Sequence, residues 1–486
     1  MKHISIKRNF IMNIILTISS FVFPLITFPY AARVLGPIGT GKVSFAVSVV
    51  NYFSMFAQLG IPTYGIKVCA QVRDNKTELS KTAQELVIIN LITSLISTCA
   101  LIITMFFIPA FRNDKWMYCI VGTTIILNAI GMDWLYRALE QYTYITVRSI
   151  ATKIIAVFAM FLLVHSEEDY IAYSGITIFA MSAANVLNFV NAHKYIYFSR
   201  MGNYNLKRHL KPILIFFAMS CAITIYTNLD TVMLGLMKTD ADVGYYNAAI
   251  KIKNILVSVV TSLGAVLLPR ASYYVEQKMM DEFFRISKKA LSFVIMLSIP
   301  MMTYFILFAE ECIYFLSGNL YAGAIAPMQI IMPTLLFIGV SNIIGTQVLV
   351  PLGLEKLVLY STIAGAMIDV AINVLLIPIF GSAGAAIGTV VAEFVVLVFQ
   401  LLVIKKLKLQ IFNQIHYIRF LIAVLLSTVA SIWVKELEYN CFVRLCLSSI
   451  IYFGVYCMYL LVRKEKIIVD MGNFIIKKAR FILRHD

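Results

Sequence analysis

The stretch that decides the fold is "FVFPLITFPYAARVLGPIGTGK", residues 21–42. It continues an apolar run that starts near residue 10, and a run of about 20 apolar residues is long enough to cross a bilayer as a helix. The run nevertheless contains Pro24 and Pro29 and leads directly into Arg33. Proline removes an intrahelical hydrogen bond and bends a helix, and a charge at the edge of hydrocarbon is costly. The stretch therefore predicts a membrane helix that is bent and that ends on a charge.

The composition extends this prediction to the whole chain of 486 residues. Hydrophobic residues make up 60% and charged residues 14%, with a mean hydropathy of +0.84, whereas ordinary soluble domains are roughly 45–50% apolar. The net charge of +16 fits basic cytoplasmic loops and anionic lipid headgroups. Because no arginine-rich arm or aromatic-interleaved basic motif occurs, nucleic acid is not an expected partner. The eight cysteines have no metal-binding spacing and are predicted to be small buried residues.

The apolar runs predict an all-α polytopic membrane protein, because lipid-exposed backbone must satisfy its own hydrogen bonds. About fourteen spans are expected from the length that a bilayer requires. We place them at 10–32, 43–65, 84–108, 116–136, 149–164, 171–192, 213–236, 244–268, 290–309, 325–350, 357–377, 383–404, 417–434 and 441–462.

The distribution of Lys and Arg predicts the orientation of these spans. Of 41 such residues, 32 fall on the side of the N-terminus and seven on the other side, while Lys251 and Lys253 lie within a span. Positive residues accumulate in cytoplasmic loops. Both termini are therefore expected in the cytoplasm, with the chain in the cell membrane.

An internal similarity suggests a repeat. The segments "YAARVLGPIGTGKVSFAVSVVNYFSMFAQLG" and "NLDTVMLGLMKTDADVGYYNAAIKIKNILVSVVTSLG" both leave a span at Leu-Gly, turn, and enter a new span that ends at Leu-Gly. Six predicted spans separate them, which is typical of a parallel repeat about an axis along the membrane normal. The prediction is two six-helix lobes, 1–211 and 212–410, around a central cavity, then two extra helices at 411–462 and a basic cytoplasmic tail at 463–486.

Several stretches resemble the oligosaccharide flippases of the polysaccharide-transport family (Wzx-type), within the multidrug/oligosaccharidyl-lipid/polysaccharide (MOP) superfamily. The likeness is densest in "FPYAARVLGPIGTGKVSFAVSVVNYF", "LGIPTYGIK", "DWLYRALEQYTYITVRS", "NLDTVMLG", "VGYYNAAIKI", "LLPRAS" and "IPIFGSAGAAIGTVVAE". The resemblance implies two lobes that rock between inward-open and outward-open states. It also implies a polyprenyl-diphosphate-linked oligosaccharide as cargo, for surface polysaccharides such as capsule or O-antigen, with the polysaccharide polymerase and export machinery as expected partners beside membrane lipids.

A diphosphate-linked cargo calls for cations at membrane depth. In the eighth span, Asn247, Lys251 and Asn254 follow i, i+4, i+7 and share one helical face with Ser258. A polar helix face within the membrane must contact protein or water and not lipid. Because this face carries a cation at membrane depth, its residues are predicted to bind the cargo. Lys253 lies on the opposite side and is expected to face a neighbouring helix or to snorkel.

Arg33 is the second predicted cargo-binding cation. Broken helices usually line a transport path, where the backbone groups freed by proline can be hydrated. A bend at Pro24 and Pro29 would then bring Arg33 to the mouth of the cavity. An interfacial anchor that snorkels outward is the alternative.

Four oxygen-bearing side chains in three spans form a second group: Asp230, Asp369, Asn373 and Thr389. Asp369 and Asn373 lie one turn apart on one helical face. Oxygen ligands at one depth suit a small hard cation, so Na⁺ coupling is expected, and H⁺ coupling remains open if burial raises a carboxyl pKa. No other cofactor or metal is predicted. The alternative pairs Asp230 with Lys251 and leaves the remaining residues as contacts between helices.

A third group lies in "DWLYRALE" and just beyond it: Asp133, Arg137, Glu140 and Arg148. These residues are predicted near the cytoplasmic end of the fourth and fifth spans. They could form an inner gate or touch the incoming diphosphate. The alternative is an interfacial ion network that fixes the position of the loop.

Three competing functions remain. A membrane polysaccharide polymerase would need catalytic groups on an outer loop, and the predicted outer loops hold no such constellation, so the chain is not expected to be an enzyme. A drug/cation antiporter of the same superfamily would favour a more apolar cavity, against the cations noted above. A lipid II flippase would differ only in cargo. No GxxxxGK[ST] motif for nucleotide binding occurs.

Overall fold

The computed structural model describes residues 6–409, 411–412 and 417–465 of the chain. Within these ranges every regular element is a helix and none is a strand. The predicted all-α architecture is confirmed. From residue 466 onward the predicted basic tail lies outside the described residues, as does most of the connection at 410–416.

The helices up to residue 244 belong to a first compact unit, Met1–Gly244. Within it, α1 packs against α3, α7 and α10, while α5 packs against α3 and α8. The helices are α1 (Ile6–Gln58), α2 (Ile61–Gln71), α3 (Lys76–Phe107), α4 (Pro109–Arg112), α5 (Lys115–Gly131), α6 (Asp133–Ala138), α7 (Tyr142–Leu163), α8 (Tyr170–Ser182), α9 (Ala184–Asn191) and α10 (Lys207–Met237), with 3₁₀ turns at Glu167–Asp169 and Ala192–Lys194.

The second compact unit is Tyr245–Asp486, and α11 (Asp240–Glu276) begins just before it. Here α16 packs along α17, and α18 packs along α19. The remaining helices are α12 (Met280–Leu307), α13 (Ala309–Ser317), α14 (Ile325–Ile331), α15 (Thr334–Asn342), α16 (Glu355–Phe380), α17 (Ser382–Lys406), α18 (Tyr417–Ser431) and α19 (Cys441–Val462), with 3₁₀ turns at Asn319–Ala324 and Ile432–Glu436 and a π-helix at Ile343–Leu349.

The units divide after Gly244, so α10, which was predicted in the second lobe, packs in the first unit. The arrangement of two repeat-related lobes around a cavity stays a prediction.

Length and apolar composition qualify twelve helices of the described chain as membrane spans. A pair bent by 44°, Asn319–Ile331 and Thr334–Leu349, is a thirteenth candidate. The first candidate runs over 61 residues, Ile11–Gln71, which at about 1.5 Å per residue exceeds one crossing. The two spans predicted at 10–32 and 43–65 both overlap this candidate. The protein is therefore a multi-pass membrane protein.

The break in α1 lies at Gly36 and not at the two prolines. The helix continues through Pro24 and Pro29, and its residue with non-helical dihedrals is Gly36, at φ 62° and ψ −177°. A proline can bend a helix without ending it, whereas a positive φ at little cost is a property of glycine. The predicted loop at 33–42 is thus reduced to one residue between two helical halves.

The described helices place apolar side chains outward and polar side chains inward. Phe107 is 81% exposed and Leu162 is 74% exposed, while Asn188 and Thr334 are fully buried. In a bilayer the exposed apolar groups contact lipid, and buried polar groups must find partners within the protein. The interior is therefore where functional side chains are to be sought.

Candidate functional site

A cluster of buried oxygens lies in the second unit, between α11, α16 and α17. Asp369 is 2% exposed and Asn373 is fully buried, and Asn373 Nδ2 donates to Asp369 Oδ1 at 3.2 Å. Thr389 Oγ1 lies 2.9 Å from the hydroxyl of Tyr246. Three of the four residues predicted to bind a cation therefore line one pair of packed helices.

Gly388 explains why α16 and α17 can approach so closely at this cluster. A Cβ atom at Gly388 would lie 3.0 Å from Asp369 Oδ1 and would overlap the amide of Asn373. The absence of a side chain thus lets both polar groups reach α17. No role was predicted for this glycine, although it lies next to Thr389 in the "GSAGAAIGT" stretch.

Carboxylate, amide and hydroxyl oxygens are ligands that hard cations accept. In the described part of the chain, no group of three or more His, Cys, Asp or Glu side chains is arranged for a metal ion. A cation at Asp369 would therefore depend on neutral oxygens for its remaining ligands. Asp230, the fourth predicted ligand, is buried on α10 in the first unit, and its relation to the other three stays a prediction.

The predicted cargo-binding residues of α11 differ in exposure. Asn247 and Lys251 are half-buried and Asn254 is exposed, whereas Lys253 is buried, with 9% of its surface accessible. The burial of Lys253 agrees with the expectation that it faces protein. Arg33 is exposed, and its Nη1 donates to the carbonyl oxygen of Pro29 at 3.0 Å. Whether these cations line one cavity stays a prediction.

Three of the four residues predicted as an inner gate form one ion network. Asp133, at the start of α6, accepts a hydrogen bond from Arg137 Nε at 2.7 Å and a second one from the buried guanidinium of Arg148 on α7. Glu140 instead accepts from Arg73 Nη1 at 2.8 Å. The network therefore ties α6 to α7, and a separate exposed pair ties the α6–α7 connection to the turn after α2.

A further charged contact lies at the other end of the first unit. Lys42 follows Arg33 toward the predicted outer loop, where a solvated rim charge is expected, but the structure pairs it with a carboxylate instead. Its Nζ lies 3.1 Å from Asp114 Oδ2 and 4.7 Å from the centre of the Tyr170 ring, and the Tyr170 hydroxyl donates to Asp114 at 2.7 Å. The correction has a physical reason: helical packing brings a carboxylate 72 residues away next to the lysine.

Two glycines allow the chain after Gly36 to pack against the start of α11. A Cβ atom at Gly41 would overlap the carbonyl group of Asp240, and one at Gly244 would overlap the carbonyl group of Pro37. Only glycine permits such backbone contact. The two segments with similar sequences therefore meet each other within the first unit.

An ion cluster that was not predicted from the sequence surrounds Glu85 on α3. The Glu85 carboxylate is fully buried and accepts hydrogen bonds from Asn205 N at 2.7 Å, Arg208 Nη2 at 2.6 Å and His209 Nε2 at 2.8 Å. His209 Nδ1 lies 2.8 Å from the hydroxyl of Tyr64. The available signals were an acid near the start of an apolar run and an Arg-His pair at the start of α10. Neither signal shows that the two pair with each other.

The comparisons with known proteins agree with this architecture. A sequence profile of the family described as "Polysaccharide biosynthesis protein" matches residues 6–275, and one described as "MatE" matches residues 216–375. A protein of Escherichia coli (strain K12) named as an O-antigen transporter is 24% identical over 412 residues, which is 84% of this chain and 98% of that protein. A protein of the same name from Shigella dysenteriae is 23% identical and covers 82% of this chain and all of its own length.

Among solved structures, the lipid II flippase MurJ in an inward closed conformation is similar in fold, with a TM-score of 0.73 at 16% identity over 94% of this chain and all of that one. These relatives and this neighbour are transporters or flippases and not enzymes. The first of these two profiles, at residues 6–275, covers more than half of the chain of 486 residues. The chain belongs to the polysaccharide biosynthesis protein family, the Wzx-type flippases of the MOP superfamily.

Proposed function

We propose that this flippase moves polyprenyl-diphosphate-linked oligosaccharide repeat units from the cytoplasmic to the outer leaflet of the cell membrane. The observation that carries the proposal is the alignment of two proteins named as O-antigen transporters with more than four fifths of this chain. The exported units would serve the synthesis of a surface polysaccharide. A polymerase that joins the units on the outer side is then an expected partner.

The physical demands of this cargo match the polar groups inside the helices. A glycan cannot cross hydrocarbon without a hydrated path, and a diphosphate needs cations along that path. Lys251, with Asn247 and Asn254 on the same face of α11, and Arg33 beyond the prolines of α1 would contact the diphosphate. The lipid tail can remain in the bilayer throughout.

Alternating access requires gates on both sides of the membrane. The excess of Lys and Arg on one side favours cytoplasmic termini, and the Asp133–Arg148 network would then lie at the cytoplasmic end of the first lobe. We assign this network, with Arg137 and Glu140, to the inner gate. Its ion pairs would break and re-form as the two lobes, 1–211 and 212–410, rock about the cavity.

An ion gradient would bias the cycle, since nucleotide-binding motifs are lacking. Asp369 and Asn373 on α16 and Thr389 on α17 offer buried carboxylate, amide and hydroxyl oxygens, and Asp230 would complete the set. An ion that binds one lobe arrangement more tightly shifts the equilibrium toward it. Na⁺ is the proposed ion, and H⁺ is the alternative if a carboxyl group of this cluster titrates instead.

Export in the native host tests the cargo and the cargo-binding residues. A strain that lacks the gene should accumulate lipid-linked repeat units and lose its surface polymer. Lys251→Ala and Arg33→Ala should fail to restore export at normal protein level, because a partly desolvated phosphate would lose its partner. Arg285→Ala, which removes an exposed pair with Glu282, is the matched control and should restore export.

If cells with Lys251→Ala and cells with Arg33→Ala both export the polymer normally, these two cations are interfacial anchors and do not contact the cargo.

The MatE profile at residues 216–375 favours one second candidate, a cation-coupled drug antiporter. In that case deletion of the gene would leave the surface polymer intact and make cells sensitive to cationic drugs. The proposed flippase predicts the reverse pattern, with polymer lost and drug sensitivity unchanged.

A further inference from the structure

A pocket of about 390 Å³ opens inside the first unit, between α1, α2, α5, α8 and α10. Its volume falls within the range of roughly 300–1,000 Å³ that is usual for small-molecule sites. The lining includes Asn51 and Gln58 from α1, Thr124 and Asn128 from α5, and Thr224 and Asn228 from α10. All of these side chains carry hydrogen-bonding groups, although they belong to helices apolar enough to cross a membrane.

The lining of this pocket carries no charge. Nine of its thirteen residues are Asn, Gln, Ser or Thr, and the other four are Met, Gly or Pro. A diphosphate placed here would lose its hydration without gaining a cation, which is costly. An apolar drug would leave the amides and hydroxyls without partners, which is also unfavourable. A neutral ligand rich in hydroxyl groups avoids both penalties, because a hydroxyl both donates and accepts.

Hydrogen bonds between helices hold three of the lining amides in place. Asn51 Nδ2 donates to Asn228 Oδ1 at 3.2 Å, which joins α1 to α10. Asn185 Nδ2 donates to Asn128 Oδ1 at 2.8 Å. Groups that are fixed in this way recognise a ligand with a smaller entropic cost than freely rotating ones.

Thr124 supplies an independent sign that a ligand is expected. Its side chain is 9% exposed, and its Oγ1 is buried without a hydrogen-bond partner in the described part of the chain. A buried hydroxyl without a partner costs free energy. A ligand hydroxyl in the pocket would supply that partner.

We propose that this pocket binds a sugar ring of the cargo, separately from the cations that hold the diphosphate. The inference rests on the proposed function, since it assigns the glycan part of that cargo to the first unit. The pocket should therefore help to select the repeat unit, whereas Lys251 should bind any polyprenyl diphosphate whatever sugar it carries.

Binding to the full-length protein in lipid nanodiscs tests the assignment with two probes. One probe is the lipid-linked repeat unit isolated from the host strain without the gene, and the other is polyprenyl diphosphate of the same length without sugar. Thr124→Val and, as a second variant, Thr224→Val each remove one hydroxyl from the pocket. Thr98→Val is the matched control, because Thr98 Oγ1 on α3 is also buried without a partner but does not line the pocket.

The wild type should bind the glycosylated probe at least tenfold more tightly than the bare lipid. Each pocket variant should bind the glycosylated probe roughly fivefold more weakly, which corresponds to the loss of about one hydrogen bond. Its affinity for the bare lipid should not change. Thr98→Val should change neither affinity. Equal binding of both probes by the wild type, or an equal loss for both probes in the pocket variants, would overturn the sugar site while the flippase proposal stands. Binding of neither probe would overturn the proposed function itself.

Discussion

Glu85→Gln should destabilise this protein strongly. The carboxylate is fully buried and accepts from the backbone of Asn205, from Arg208 and from His209. The amide keeps one acceptor oxygen but turns a donor toward groups that also donate. Breaking a buried charged pair typically costs about 3–5 kcal/mol. Because Arg208 is 40% exposed and solvent screens part of this pair, we expect a loss of about 3 kcal/mol.

The assay is reversible unfolding in bicelles, which reports the free energy of unfolding for wild type and variants. Glu140→Gln is the matched control, since Glu140 also pairs with an arginine but the pair is exposed. Exposed ion pairs contribute little to the free energy of unfolding, so Glu140→Gln should have the same free energy of unfolding as the wild type within error. Equal stability of Glu85→Gln and Glu140→Gln would refute the reasoning that burial makes the Glu85 cluster important.

The remaining predictions concern close contacts and topology. Gly41→Val should lower the temperature of thermal unfolding, because the valine side chain would overlap the Asp240 backbone. Gly454→Val should not lower it, because the space around Gly454 is open. Equal melting temperatures of the two variants would contradict the contact between Gly41 and Asp240. Gly388→Val should abolish the response of vesicle transport to an imposed Na⁺ gradient without loss of the protein from the membrane, and an unchanged response would exclude Gly388 from the cation cluster. Cysteine labels at Glu167 should react with an impermeant reagent from outside and labels at Lys278 should not; the opposite pattern would invert the proposed orientation.

The sequence predicted the positions of the helices well, because hydropathy and helix length are local properties. The last predicted span, 441–462, coincides with α19 (Cys441–Val462). The predicted span 357–377 falls inside α16 (Glu355–Phe380), which is longer by a few residues at each end. At the start the added residues, Glu355 and Lys356, are charged, so they continue the helix without registering in hydropathy.

Contacts between distant helices could not be predicted in the same way. One-turn spacing correctly placed Asp369 beside Asn373, because both lie on one helix. The partner of Lys42 lies 72 residues away and the partner of His209 lies 124 residues away, and helical periodicity holds no information on such pairs. The break at Gly36 falls at the Leu-Gly where the chain was predicted to leave its first span. That only this residue departs from helical dihedrals could not be predicted, because glycine permits a positive φ but does not require it.

The most direct test of the central claim is a flipping assay in proteoliposomes. Lipid-linked repeat units are placed in both leaflets, and an impermeant glycosidase outside reports which units become accessible. Protein-containing liposomes should release the sugar from nearly all units. An imposed Na⁺ gradient should change the rate of release, and Lys251→Ala should slow it. If accessibility stops at the outer-leaflet fraction, as in liposomes without protein, this chain does not flip the lipid-linked oligosaccharide.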